Sequence, residues 1–84
     1  MNLYSVKDEV AETFGRPFPA HNNGMAIRTF IGEVNNQESG LLHTNSKDFT
    51  LYLIGEFDED TGNLVPSVPG PHRLINGSEA KSPA

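Results

Sequence analysis

Apolar positions change period along the chain, and each change marks an element. Residues 2–7 alternate weakly, with Tyr4 and Val6 on one face and Leu3 and Ser5 on the other, which predicts a short strand. Asp8-Glu9 ends it, Val10 to Phe14 predicts a second short strand, and Gly15 a turn. Pro17 and Pro19 bracket Phe18 and hold it extended, because a residue before proline avoids the α region. The Phe18 ring is expected to dock into the core; the alternative is a mobile loop carrying an exposed ring. Ile27, Phe30, Ile31 and Val34 then fall at i, i+3, i+4 and i+7, the spacing of one buried helical stripe. This predicts a helix from Asn23 to about Asn35, with Asn22 or Asn23 capping the first turn and Asn35-Asn36 closing the last. Gly32 weakens that helix by about 1 kcal/mol relative to alanine and is expected to allow close packing on a sheet.

Residues 37–48 are polar and read as a surface loop, with Leu41-Leu42 pinned to the domain edge and room for a short helical turn. Phe49 to Phe57 has the aromatic and branched content of a strand. Phe49, Leu51, Leu53 and Phe57 share one face, and Thr50, Tyr52, Ile54 and Glu56 the other. Both faces carry apolar groups, so the strand is expected to be central, with a partner chain covering its reverse face. Asp58 to Gly62 reads as a hairpin turn ending in a left-handed glycine; Asn63-Leu64-Val65 returns, and Pro66 stops the ladder. Beyond Ser67 the composition becomes rich in proline and glycine. Arg73-Leu74-Ile75 is expected to add a short edge strand, and Gly77 to Ala84 to fray. The predicted fold is α+β: one amphipathic helix packed on a three- or four-stranded, mainly antiparallel sheet with a C-terminal β-hairpin. Residues 1–66 form the predicted domain, and residues 67–84 a partly disordered segment.

Length and charge narrow the reading. A chain of 84 residues makes one domain and buries only about 60% of its unfolded surface, so its core needs support. There is no cysteine, which excludes disulfides and leaves His21, His43 and His72 without thiolate partners for zinc. Self-association into a homo-oligomer is therefore the expected support. The longest apolar run, Leu51 to Gly55, is far too short to span a bilayer, and the N-terminus lacks a signal-peptide pattern, so a soluble, unprocessed protein is expected. A net charge of −5 disfavours a dominant phosphate-binding role while leaving room for a local basic patch.

Motifs for chemistry are sparse. Glu56, Asp58, Glu59 and Asp60 suggest calcium, but an EF-hand loop counted from Asp58 meets Gly62 at the fifth position, so the register fails and a solvated turn is the simpler reading. The same acids lack the enclosed pairing of a glycosidase site. Asn22-Asn23-Gly24 at a helix N-terminus offers free amides to an anion, though capping explains it more simply. No nucleophile elbow, phosphate-cradling loop or metalloprotease helix is present, so the expectation is a non-enzymatic protein without cofactor or metal. For nucleic acid, Lys7, Arg16, Arg28, Lys47 and Arg73 are cations that could neighbour Tyr4, Phe14, Phe18 and Tyr52. Arg16 and Arg28 are the candidate phosphate or partner contacts, and Tyr4 and Tyr52 the candidate stacking rings.

Four segments carry a resemblance: the opening Met-Asn-Leu-Tyr-Ser-Val-Lys-Asp, Arg16-Pro-Phe-Pro-Ala, Asn23-Gly-Met-Ala-Ile-Arg-Thr-Phe30, and Asp48 to Leu64. In order and spacing, over roughly residues 1–66, they resemble the small nonstructural protein of gokushovirus-type microviruses, tailless bacteriophages with circular single-stranded DNA. The resemblance implies a nonstructural or DNA-binding role in the host cytoplasm. That role is control of genome replication, including the switch to single-strand synthesis and packaging. It supplies no catalytic residues. With the acidic balance, it implies weak single-stranded DNA binding by an oligomer, or action through a replication protein. The alternative is a capsid-associated or scaffolding module.

Overall fold

In the computed structural model, which describes residues 1–82, the chain runs β1 (Asn2–Asp8), β2 (Thr13–Phe14), β3 (Phe18–Ala20), α1 (Asn23–Val34), α2 (Leu41–Thr44), β4 (Phe49–Phe57), β5 (Leu64–Pro66), β6 (His72–Asn76) and α3 (Gly77–Ala80). The architecture is α+β, as the periodicities predict. Its spine is the antiparallel pair β1–β4, with Tyr4 opposite Leu53, Ser5 opposite Tyr52 and Val6 opposite Leu51. Six strands, rather than three or four, form the sheet. The excess arises because both outer columns are broken. β2 pairs with β1 at Lys7 and Asp8, and β3 with β1 at Asn2 to Tyr4. On the far side, β6 pairs with β4 over Thr50 to Leu53, and β5 over Gly55 to Phe57. Pro17 interrupts the first column, and the Pro69-Gly70-Pro71 stretch the second, since proline cannot donate to a ladder.

The Val10–Phe14 strand shrinks to Thr13–Phe14. Asp8 Oδ1 accepts the Val10 and Ala11 amides at 3.0 and 3.2 Å, so a side-chain-closed turn replaces ladder pairing there. Phe18 packs against the core, as its proline bracket predicts. Asn22 caps α1 by accepting the Met25 amide at 2.9 Å. The buried stripe of α1 is Ala26, Phe30 and Val34, with Ile27 packed at its side and Ile31 exposed. The helix is thus rotated from the expected stripe, because a small alanine faces the cluster that holds Tyr4 and Leu51. Gly32 meets open space rather than the sheet, so close packing is not its role. In the polar stretch, α2 docks through Leu42 while Leu41 is exposed. The hairpin turn ends in Gly62 at φ +78°, the left-handed glycine its sequence predicts.

The C-terminal segment differs most from expectation. Instead of fraying at Gly77, the chain folds into α3, and Ala80 joins the core with Tyr4, Ala26, Phe30, Val34 and Leu51. Asn76 and Glu79 form a capping box, and the Asn76 amide group donates to the carbonyls of Lys47 and Phe49 at 3.0 Å. A β-carbon on Gly77 would lie 1.9 Å from the Ser46 carbonyl oxygen, so only glycine allows this approach. Lys81 Nζ donates to the His43 carbonyl at 2.7 Å, and Ser82 N to Asn35 Oδ1 at 2.8 Å. The core therefore draws on residues beyond Pro66. The expected fraying of Pro83 and Ala84 lies outside the described residues. Among the described residues, no helix is long and apolar enough to cross a membrane.

Candidate nucleic-acid interface

Strand alternation divides the β1–β4 spine between two faces. Tyr4, Val6, Leu51 and Leu53 turn toward the buried cluster, to which α1 and α3 contribute and against which Leu42 of α2 packs. α1, Leu42 of α2 and Ala80 of α3 thus meet one side of the sheet. The opposite face carries Lys7, Phe14 and Tyr52, brought together by register: Lys7 stands opposite both Phe14 and Thr50, and Ser5 opposite Tyr52.

The Phe14 and Tyr52 rings meet edge to face, with centroids 5.3 Å apart and planes at 67°. Lys7 Nζ sits 5.6 Å from the Phe14 centroid, within cation–π range. Ser5 Oγ donates to the Gly15 carbonyl at 2.7 Å and ties the segment after Phe14 to β1. Phe14 keeps 43% of its surface exposed. Arg73 stands opposite Tyr52 on the other flank, in β6.

Acids accompany both cations. Glu9 Oε1 lies 3.4 Å from Lys7 Nζ, and Glu9 Oε2 accepts the Tyr52 hydroxyl at 3.2 Å. Glu79 pairs with the Arg73 guanidinium and accepts the Asn76 amide at 3.0 Å. Thr50 foremost, then Lys7 and Tyr52, hold the Glu9 carboxyl below its usual range. The Asn76 amide and then Arg73 do the same for Glu79. Burial, and secondarily the Glu9 charge, pushes the Tyr52 phenol up. Nearby, Leu3, Pro17, Ile54, Val65 and Pro66 line a shallow apolar groove of about 230 Å³.

The four candidate residues separate. Tyr52 lies on the open face as a stacking ring requires. Tyr4 does not: it is fully buried, its hydroxyl donating to Asn23 Oδ1 at 2.7 Å and accepting from Asn2 at 3.2 Å, and no ring face is free. Arg16 is exposed in the link between β2 and β3, two residues past Phe14. Arg28 is exposed on α1, in the layer across the sheet from Tyr52. In the sequence, Phe14 and Lys7 stand out only as one ring and one cation among several, and Glu9 only as a strand end. Their grouping depends on the turn that sets the β1–β2 register.

The comparison with curated proteins and that with solved structures return no match. One family model, described as Phage ORF5 protein, matches residues 1–80 and so includes both β6 and α3. The chain belongs to the phage ORF5 protein family.

Proposed function

We propose that this phage protein is a non-enzymatic nonstructural protein of a gokushovirus-type microvirus. In this reading it binds single-stranded DNA on the open face of its sheet during genome replication, or during the switch to packaging, in the host cytoplasm. One observation carries the reading: Phe14 and Tyr52 form an aromatic platform with Lys7 beside it, on the sheet face opposite the buried cluster. Stacking on such rings contributes about 1–3 kcal/mol per base and tolerates any sequence. With a net charge of −5, few phosphates are neutralised, so binding is weak and its salt dependence shallow.

Fluorescence anisotropy of a labelled oligothymidylate, titrated at low and physiological salt, tests it. Saturable binding that salt weakens is expected. Phe14→Ala combined with Tyr52→Thr should weaken it at least about tenfold, in line with the loss of one or two stacked bases. Circular dichroism confirms that the variant is folded. No binding at high micromolar protein, or binding that the double variant leaves unchanged, overturns the reading. The apolar groove around Ile54 favours a second reading, action through a protein partner in replication or assembly. Recovery of the protein in purified virions would support the assembly role.

A further inference from the structure

Lys7 and Arg73 flank the same residue, Tyr52, and they form the two ion pairs found among the described residues. Glu9 bridges Lys7 and the Tyr52 hydroxyl, with contacts of 3.4 and 3.2 Å. Glu79 holds Arg73 while fixed by the Asn76 amide at 3.0 Å. We propose that Glu9 and Glu79 are built-in competitors for phosphate, which mask the two cations of the open face and set its affinity for single-stranded DNA. This rests on the DNA-binding reading and deepens it. A backbone phosphate must displace a tethered carboxylate to reach Lys7 or Arg73. The cations release fewer counterions than free ones would, so affinity is low and its salt dependence shallow.

The hydrogen bonds that each carboxylate makes within the fold do not require its charge. A glutamine at position 9 still offers an oxygen to the Tyr52 hydroxyl, and a glutamine at position 79 completes a capping box as glutamate does. Glu9→Gln and Glu79→Gln therefore unmask the cations in a folded protein. The control is Glu38→Gln, which removes one negative charge from the short turn after α1, outside both ion pairs.

The test is anisotropy with labelled oligothymidylate across a salt series, for the unaltered chain, the three single variants and the Glu9/Glu79 double variant. Glu9→Gln and Glu79→Gln should each tighten binding about two- to fivefold at low salt, the range expected for a surface ion pair. Each should steepen the slope of log K against log salt by about 0.7 per cation freed. Glu38→Gln should leave the slope unchanged. If the unaltered chain binds and both variants behave as Glu38→Gln does, the masking is overturned while the DNA-binding reading stands. If neither the unaltered chain nor the double variant binds, both fail.

Discussion

Tyr4 and Tyr52 stand one step apart across the β1–β4 pair and face opposite ways. Alternation along each strand makes that division readable in the sequence, since Tyr4 falls with Val6, and Tyr52 with Ile54. Which face the helices take is not readable, because it depends on where α1 returns after β3. Tyr4 therefore reads as a candidate ring but works as a buried strut between β1 and α1, through Asn23. Removing its hydroxyl leaves Asn23 Oδ1 and Asn2 Nδ2 each short of a partner. Tyr4→Phe should cost about 0.5–1.5 kcal/mol in urea denaturation, the usual net worth of such a hydrogen bond, with no change in oligothymidylate affinity. Weaker DNA binding without lost stability would return Tyr4 to the interface. Glu9 was hidden for a similar reason: its role arises only when the turn after Asp8 leads the chain back to set Phe14 against Tyr52.

At the scale of elements, legibility follows length. β1, α1 and the β4–β5 hairpin carry a full period or a turn signature, and all are visible in the sequence. β2, β3 and α3 are two to four residues long, too short to show a period, and their stability comes from the elements they pair with or pack on. The stretch from Gly77 looks unable to fold because its apolar Ala80 meets its partners only in the assembled core. The short edge strand expected at Arg73-Leu74-Ile75 is β6, and Ile75 packs against that core. Ending the chain after Pro66 would delete β6 and leave one edge of β4 unpaired from Thr50 to Leu53. Such a chain should lose its cooperative thermal transition by circular dichroism. A wild-type midpoint would mean that the first 66 residues suffice. Gly77→Ala probes the same junction more gently. Its methyl group would overlap the Ser46 carbonyl, so a loss of about 1–3 kcal/mol is expected, with faster amide exchange from Asn76 to Ala80.

For the whole molecule, charge works in two opposing ways as pH falls. A net charge of −5 at neutral pH means diffuse self-repulsion, which eases as carboxylates begin to take up protons. Glu9 and Glu79 oppose this trend. Both titrate below their ordinary value of 4.5 in the folded chain, so the folded state binds protons there less readily than the unfolded one. Their contribution to stability is fully present above about pH 4.5 and is lost as pH falls through their lower folded values. Melting temperature should therefore hold or rise slightly from neutral pH toward 5, then drop. The Glu9→Gln/Glu79→Gln double variant should keep the first limb and flatten the second, because glutamine does not titrate. The same pair of substitutions that strengthens DNA binding should thus make the protein less sensitive to acid. Thermal melts by circular dichroism over the acid range decide it. An acid fall equally steep in both proteins would place the responsible carboxylates elsewhere and show that the two ion pairs add nothing to folding.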